Sequence, residues 1–350
     1  MRLDLNARPL LVYWELTRAC ELACRHCRAE AAPERDPREL SFDEGLAVLD
    51  ALRGFGEPLP HIVLTGGDPL KRPDLWDIIA AARERGFTVA ITPSGTYALT
   101  PEIVRRFKEA GIWMMGLSLD GSTAERHDGV RMVPGSFAQT VSAAEWARAA
   151  GLPIQVNTLV CEQTADDLRA TYELVARLGA ARWSLFFLVH VGRGRGLAEV
   201  TPERSEAILR DLLEMAAEGR LDIKTTEAPH YRRIALQAGG EAAASLRRGF
   251  GIRDGSGILF VSHTGDVCPA GFLPVAAGNV RETSPVEVYR SSELFKRLRD
   301  PGALKGVCGV CEYRRLCGGS RARAFAHTGD PLESDPLCPY EPREAAHEPI

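Results

Sequence analysis

Residues 10 to 27 read LLVYWELTRACELACRHC, an apolar run from Leu10 to Leu16 followed closely by Cys20, Cys24 and Cys27. The spacing C-x3-C-x2-C puts three thiolates on one short loop, one fewer than a closed tetrahedral zinc or iron–sulfur site takes. A centre held this way keeps one metal position open, and an open position binds and polarises a small ligand instead of bracing the fold. On spacing alone, a structural zinc with a distant fourth ligand fits as well.

The motif resembles that of the radical S-adenosylmethionine (SAM) superfamily, C-x3-C-x-aromatic-C on the loop behind the first barrel strand, with His26 in the aromatic place. The resemblance implies that Cys20, Cys24 and Cys27 hold a [4Fe–4S] cluster whose fourth iron is chelated by the methionine amino and carboxylate groups of SAM. It puts His26 near the adenine, although a lone histidine serves equally as a packing residue. Downstream, Ile62-Val63-Leu64 runs into Thr65-Gly66-Gly67-Asp68-Pro69. Glycines at a strand end let backbone come close to a ligand, and tight turns use them too. The family carries Gly-Gly-Glu-Pro here, against the SAM amino group, so Gly66, Gly67 and Asp68 are the matching positions. Asp68 is one methylene shorter than the usual glutamate.

The organisation around these motifs is that of parallel βα units. Apolar strands are expected at Leu10 to Leu16, His61 to Leu64, Phe87 to Thr92, Ile112 to Leu119, Ile154 to Val160 and Trp183 to Val191, alternating with amphipathic helices. Ser41 with Glu44 and Ser136 with Gln139 read as capping boxes, and Thr100-Pro101 and Thr201-Pro202 as helix starts. Gly86, Gly111, Gly151 and Gly179 each fall between a helical pattern and the next strand. Six such units form an incomplete version of the eight-stranded barrel, with ligands at the carboxyl ends of the strands.

Further candidates lie at such ends. Ser118 and Asp120 share a face and suit a ribose, or a plain Ser/Asp turn; Asn157 and Thr158 are weaker candidates for the same role. Arg131 suits the SAM carboxylate by the resemblance, and otherwise reads as a surface arginine. In LFFLVHVGRGR, residues 185–195, Arg193 and Arg195 suit a carboxylate at the barrel mouth or remain solvated, and His190 points to the same region. Leu221 to Thr226 reads as a further strand. Glu227 to Arg233 opens a helix in which His230, Tyr231 and Arg232 form a substrate lip or a helical surface.

Cys308-x2-Cys311-x5-Cys317 and then Cys338 supply four thiolates, enough for a tetrahedral zinc ribbon. Beside the first motif the arrangement resembles the SPASM or twitch extension, which implies an auxiliary [4Fe–4S] cluster with all four ligands present. A second auxiliary cluster lacks its pattern: Cys268 and Gly278 match its beginning, but the next cysteine is missing near Thr283, and Ser320 or Arg321 stands where another belongs. Cys268 is left as a lone ligand, a substrate contact or a buried thiol, and Cys161 as a core residue. The stretch CGGSRARAFAHTGDPLESDPLCPYEP, residues 317–342, is similar to radical SAM proteins of the haem d1 and alternative haem pathways, which alter tetrapyrrole side chains. By that likeness Arg321 and Arg323 face propionates. Those relatives usually carry cysteine at the place of Ser320.

The expected fold class is therefore α/β: a partial (β/α)6 radical SAM barrel over residues 1–200, a helical bridging segment over 201–257, and a SPASM/twitch-like auxiliary iron–sulfur domain over 258–350. The resemblance implies reductive cleavage of SAM to a 5′-deoxyadenosyl radical, hydrogen abstraction from a carboxylated metabolite such as a tetrapyrrole, and a low-potential electron donor such as flavodoxin or ferredoxin. A maturase acting on a peptide and a non-catalytic zinc-ribbon protein are the alternatives. With 350 residues, 45% of them hydrophobic, the chain is long enough for a large domain and a smaller one. A net charge of −4 offers no basic field for nucleic acid. No apolar stretch approaches the roughly 20 residues of a membrane span, and a cytoplasmic protein is expected, where clustered cysteines bind metal.

Overall fold

The computed structural model describes residues 4–240 and 251–343. Residues 241–250 of the expected bridging segment and 344–350 of the expected auxiliary domain lie outside the described residues. A single ten-stranded sheet organises the chain. Its strands are β1 Leu11–Glu15, β2 His61–Thr65, β3 Val89–Ile91, β4 Met114–Ser118, β5 Ile154–Val160, β6 Arg182–Phe187, β7 Asp222–Thr226, β8 Ile258–Val261, β9 Asp266–Cys268 and β10 Gly278–Asn279. Helices α1 Phe42–Leu52, α2 Leu75–Glu84, α3 Pro101–Glu109, α4 Ala124–Arg131, α5 Ser136–Ala149, α6 Leu168–Arg177 and α7 Pro202–Ala217 fall between the first strands. Then come α8 Tyr231–Ala238, α9 Pro285–Ser291, α10 Glu293–Arg299, α11 Gly306–Val310 and α12 Arg321–Thr328.

The spatial order is β10-β9-β8-β1-β2-β3-β4-β5-β6-β7. Every pair from β8 through β1 to β7 is parallel, and β9 and β10 close the edge antiparallel. The six strands read from the sequence form the middle of this sheet. The further strand expected at Leu221 to Thr226 forms over Asp222–Thr226 and adds to β6, and β8 adds to β1 from the far side.

Strand alternation decides which side chains face what. Val12, Trp14, Ile62, Leu64, Trp183 and Leu185 are buried beneath the helices. Their neighbours Tyr13, Val63, Ala90, Gln155, Lys224 and Phe260 line one hollow, so the sheet curls around it from β8 to β7. Two local expectations need correction. The sixth strand stops at Phe187 instead of Val191: the Leu188 carbonyl leaves the ladder to accept a hydrogen bond from Arg323. Ser136 is no N-cap. Gly135 holds that place, and Asp128 accepts from the Gly135 and Phe137 N–H groups while Gln139 reaches the Thr96 and Leu99 carbonyls. The boxes at Ser41 and the caps at Thr100 and Thr201 form as read. No helix among the described residues is long and apolar enough to cross a membrane.

Candidate active site

Behind β1 the chain turns across the carboxyl ends of the strands, and the loop carrying Cys20, Cys24 and Cys27 is gripped by backbone. The Gly67 and Asp68 N–H groups donate to the Thr17 and Ala19 carbonyls at 2.7 Å. A Cβ on Gly66 would sit 2.4 Å from the Thr17 oxygen, and one on Gly67 2.5 Å from that of Ala19, so the glycines are needed first for this loop. On its other flank, Gly192 at φ +55° lies against the Cys27 and Arg28 carbonyls, where a Cβ would come within 2.5 Å. Beside it, Arg193 donates to the carbonyls of Cys24 and Ala31, both at 2.9 Å.

Each of these sulfurs has a donor. Leu22 N–H lies 3.4 Å from Cys20 Sγ, Ala31 N–H 3.4 Å from Cys27 Sγ, and Arg131 Nη1 3.5 Å from Cys24 Sγ, while Ser94 Oγ stands 3.3 Å from Cys20 Sγ. Arg131 also pairs with Asp120 at 2.6 Å, both buried. Against the cost of burial, Arg131 holds the Asp120 carboxyl below the usual carboxylate range. Withdrawal from solvent, helped by Arg131 and Arg193, takes the His26 imidazole down to about 4, so it is neutral near pH 7. The backbone N–H of Asp120 donates to His127 Nδ1 at 3.0 Å, which leaves the His127 proton on Nε2.

A cavity of about 190 Å³ opens over this loop and touches Cys20, Cys24, Cys27, His26, Gly66 and Gly67. Ser118, Asn157 and Thr158 also reach it. Several of the expected roles change. Asp68 does not line it: its carboxylate folds back onto Leu70 N–H, Ser94 N–H and Thr96 Oγ1, as one methylene less than glutamate allows. Arg131 and Asp120 both line the cavity, paired with each other, and Arg131 Nε is left without a hydrogen-bond partner. Arg193 braces the cysteine loop instead of flanking a mouth, and Arg195 is exposed beyond it. Thr158 is held between the Leu119 carbonyl and Trp183 Nε1.

A second cavity of about 410 Å³ fills the barrel, sharing Arg28, Thr65, Asn157, Phe186 and Phe272 with the first. Arg28 stands at this junction, paired with Glu15 at 2.8 Å and stacked 4.7 Å over Phe260; Glu15 also accepts from His263 Nδ1 at 2.8 Å. Sequence reasoning missed this triangle, because His263 is remote from both partners along the chain. It also missed Ser94, which the rule of strand ends would have found in Thr92-Pro93-Ser94-Gly95.

The C-terminal cysteines are held by backbone and side-chain donors together. Cys308 Sγ receives Asp335 N–H at 3.4 Å and Arg321 Nη2 at 3.6 Å, Cys311 Sγ receives Tyr313 N–H at 3.4 Å, Cys317 Sγ receives Gly319 N–H at 3.4 Å, and Cys338 Sγ receives Arg233 Nη2 at 3.8 Å. Burial, with Cys338 and Cys308 nearby, pushes the Cys317 thiol up to about 12, so it enters as thiolate only with a metal's charge beside it. Arg321 and Arg323 are fully buried and their donors are engaged by the fold: Arg321 by the Gly319, Pro331 and Glu333 carbonyls, Arg323 by Asp335, Glu199 and the carbonyls of Glu227 and Leu188. Neither is available to a propionate. Cys268 is a buried thiol on β9, raised to about 12 by burial and by Asp266 and Glu15.

Both cysteine sets fit clusters better than single ions. Tetrahedral zinc with Zn–S near 2.3 Å draws its sulfurs to within about 3.8 Å of one another. Among the described residues, the group of metal-ligating atoms that gathers within 4.8 Å is His190, Glu199 and His327, and neither cysteine set does so. Wider spacing with a hydrogen bond to every sulfur suits iron–sulfur cubanes.

The Radical SAM superfamily model matches residues 14–175. An AdoMet-dependent heme synthase of Methanosarcina barkeri is 41% identical over 95% of this chain and 97% of its own length. The chain belongs to the radical SAM superfamily. A pre-heme d1 synthase of Dinoroseobacter shibae is 31% identical over 94% of this chain and 85% of its own. The crystal structure of Streptococcus suis SuiB bound to S-adenosylmethionine shares the fold, with a TM-score of 0.74 over 95% of this chain and 78% of that one at 16% identity. This radical SAM enzyme accordingly uses SAM and a [4Fe–4S] cluster. The zinc-ribbon alternative falls.

Proposed function

We propose that this radical SAM enzyme forms haem or a haem-like product from an iron tetrapyrrole bearing carboxylate side chains. The observation that carries the reading is the pair of joined cavities: the cysteine loop faces the smaller, and the larger has aromatic walls with Arg28, Lys224, Arg232 and Arg253 around them. A flat, apolar macrocycle with an anionic rim is the chemistry such a chamber suits. The heme synthase relative, matched end to end, points the same way.

Cys20, Cys24 and Cys27 would hold the SAM-binding cluster, and Cys308, Cys311, Cys317 and Cys338 the auxiliary one. When bound, the first supplies the electron that splits the sulfonium of SAM, and the second offers an electron acceptor or a binding point for substrate. Ser118, Asn157 and the Gly66–Gly67 backbone orient SAM in the smaller cavity, with neutral His26 beside it. Asp120 acts through Arg131, which stabilises the Cys24 thiolate. Phe186 and Phe272, 6.1 Å apart, stand between the two cavities and keep water from the reacting carbon.

The test is anaerobic turnover with SAM, a reductant such as flavodoxin and iron-coproporphyrin III, followed by mass spectrometry. Haem-type product with 5′-deoxyadenosine is expected. Deoxyadenosine coupled instead to a modified peptide would turn the assignment to the maturase branch.

A further inference from the structure

Resting on the tetrapyrrole reading, we propose that Arg232 and Arg253 form the subsite that anchors a non-reacting carboxylate of the substrate at the auxiliary end of the chamber. Both line the larger cavity and neither lines the smaller. Their neighbours are matched: Arg233 pairs with Glu206, and Arg323 with Asp335 and Glu199. Among the described residues, Arg232 and Arg253 have no carboxylate within ion-pair distance. Arg232 donates to the Leu316 and Ile252 carbonyls at 3.2 and 2.7 Å. Arg253 is 8% exposed, makes one long contact of 3.4 Å to the Arg315 carbonyl, and leaves its Nε without a partner.

A guanidinium withdrawn from water without a counter-charge is costly unless an anion arrives to pair with it. Burial, then repulsion from Arg321 and Arg232, brings Arg253 down to about 10, the mark of a cation short of partners. Glu227 and Asp254 line the same wall. Burial, then repulsion from Asp254, raises the Glu227 carboxyl, and burial raises that of Asp254 against its hydrogen bonds with Ala322 N–H and Glu227, so the pair carries less negative charge than two free carboxylates. The competing account is that the pair merely offsets charge at Cys317, which both arginines feel. The two accounts separate by experiment. A docked carboxylate here lies away from the SAM cavity, so it holds the macrocycle while another side chain reaches the radical.

The experiment titrates the anaerobic holoenzyme, without SAM, with iron-coproporphyrin III and with its tetramethyl ester, following porphyrin absorption. Arg232→Gln and Arg253→Gln should each weaken the free acid about ten- to a hundredfold while leaving ester binding unchanged. Arg253→Lys should recover part of the loss, and the auxiliary cluster's paramagnetic spectrum should stay that of the parent. Equal binding of the free acid by parent and variants overturns the subsite. Equal loss for acid and ester, or an altered cluster spectrum with binding intact, assigns the pair to the cluster instead. If Arg253→Gln loses iron, Arg232→Gln decides by the same comparison. A parent that binds neither porphyrin overturns the tetrapyrrole reading itself, and the subsite with it.

Discussion

The two cysteine centres differ in what is packed around them. Around Cys20, Cys24 and Cys27 the grip comes mainly from backbone: carbonyls of Thr17, Ala19, Cys24 and Cys27 lie against Gly66, Gly67, Gly192 and Arg193. Around Cys308, Cys317 and Cys338 the backbone N–H groups of Asp335 and Gly319 also reach the sulfurs, and the buried guanidinium groups of Arg321 and Arg233 stand against Cys308 and Cys338. The difference follows from coordination. A three-cysteine centre must keep one corner clear for a ligand, so bulk is removed from its neighbourhood and the loop is pinned by glycines. A four-cysteine centre is closed, and can be packed with charge that sets its electrostatics.

The largest test of that contrast is removal of ligands. The parent should bind about eight irons as two four-iron clusters. Replacing Cys20, Cys24 and Cys27 together by alanine should lower this to about four irons and abolish 5′-deoxyadenosine formation. Replacing Cys308 and Cys311 should leave SAM cleavage running without product. If the second variant also stopped all cleavage, the centres would not be separable.

Next in size is the charge beneath each centre. Arg131→Gln would strand the buried Asp120 carboxylate and should cost about 3–5 kcal/mol in anaerobic urea unfolding. Arg233→Gln should cost distinctly less, because Glu206 is 17% exposed and water can take over. A larger loss at Arg233 would reverse the order.

Acid should find both regions. Burial brings His127, near the first centre, and His230, near the second, down to about 4 from the ordinary histidine value of 6.5. Between those two values the unfolded chain carries a proton on each imidazole that the fold refuses. The unfolded state then binds more protons, so stability is full above pH 6.5 and falls as the pH is lowered towards 4, by up to about 3 kcal/mol for each histidine. Urea midpoints measured across that window should be flatter for His127→Gln and for His230→Gln than for the parent. Parallel curves would show that neither histidine titrates as its burial demands.

Much of this was legible in the chain. The cysteine spacings, the strand-end glycines and the alternating strands are local patterns, and each survives folding because it depends on near neighbours. What the sequence hid is pairing across distance. Nothing local says that Arg131 turns to Asp120, that Arg193 reaches back to Cys24, or that Arg321 and Arg323 disappear into the fold while Arg232 and Arg253 face the chamber. An arginine has the reach to serve any of these ends, and only the tertiary arrangement chooses among them.

Ser136 is the small case that shows the same lesson locally. Ser136 with Gln139 matches a capping box, but the carboxylate of Asp128, one helix earlier, accepts from Gly135 N–H, Phe137 N–H and Ser136 Oγ at 2.7 to 2.8 Å, and outcompetes the serine. A carboxylate at a helix start gains from the dipole as well as from the hydrogen bonds. It thereby ties α4, which carries Arg131, to α5, whose Ser136 and Thr140 line the smaller cavity. Asp128→Ala should therefore cost about 1 kcal/mol, raise the KM for SAM, and leave the auxiliary cluster's iron and spectrum untouched. Ser136→Ala should cost less than Asp128→Ala, whereas a true capping box at Ser136 would give the reverse order.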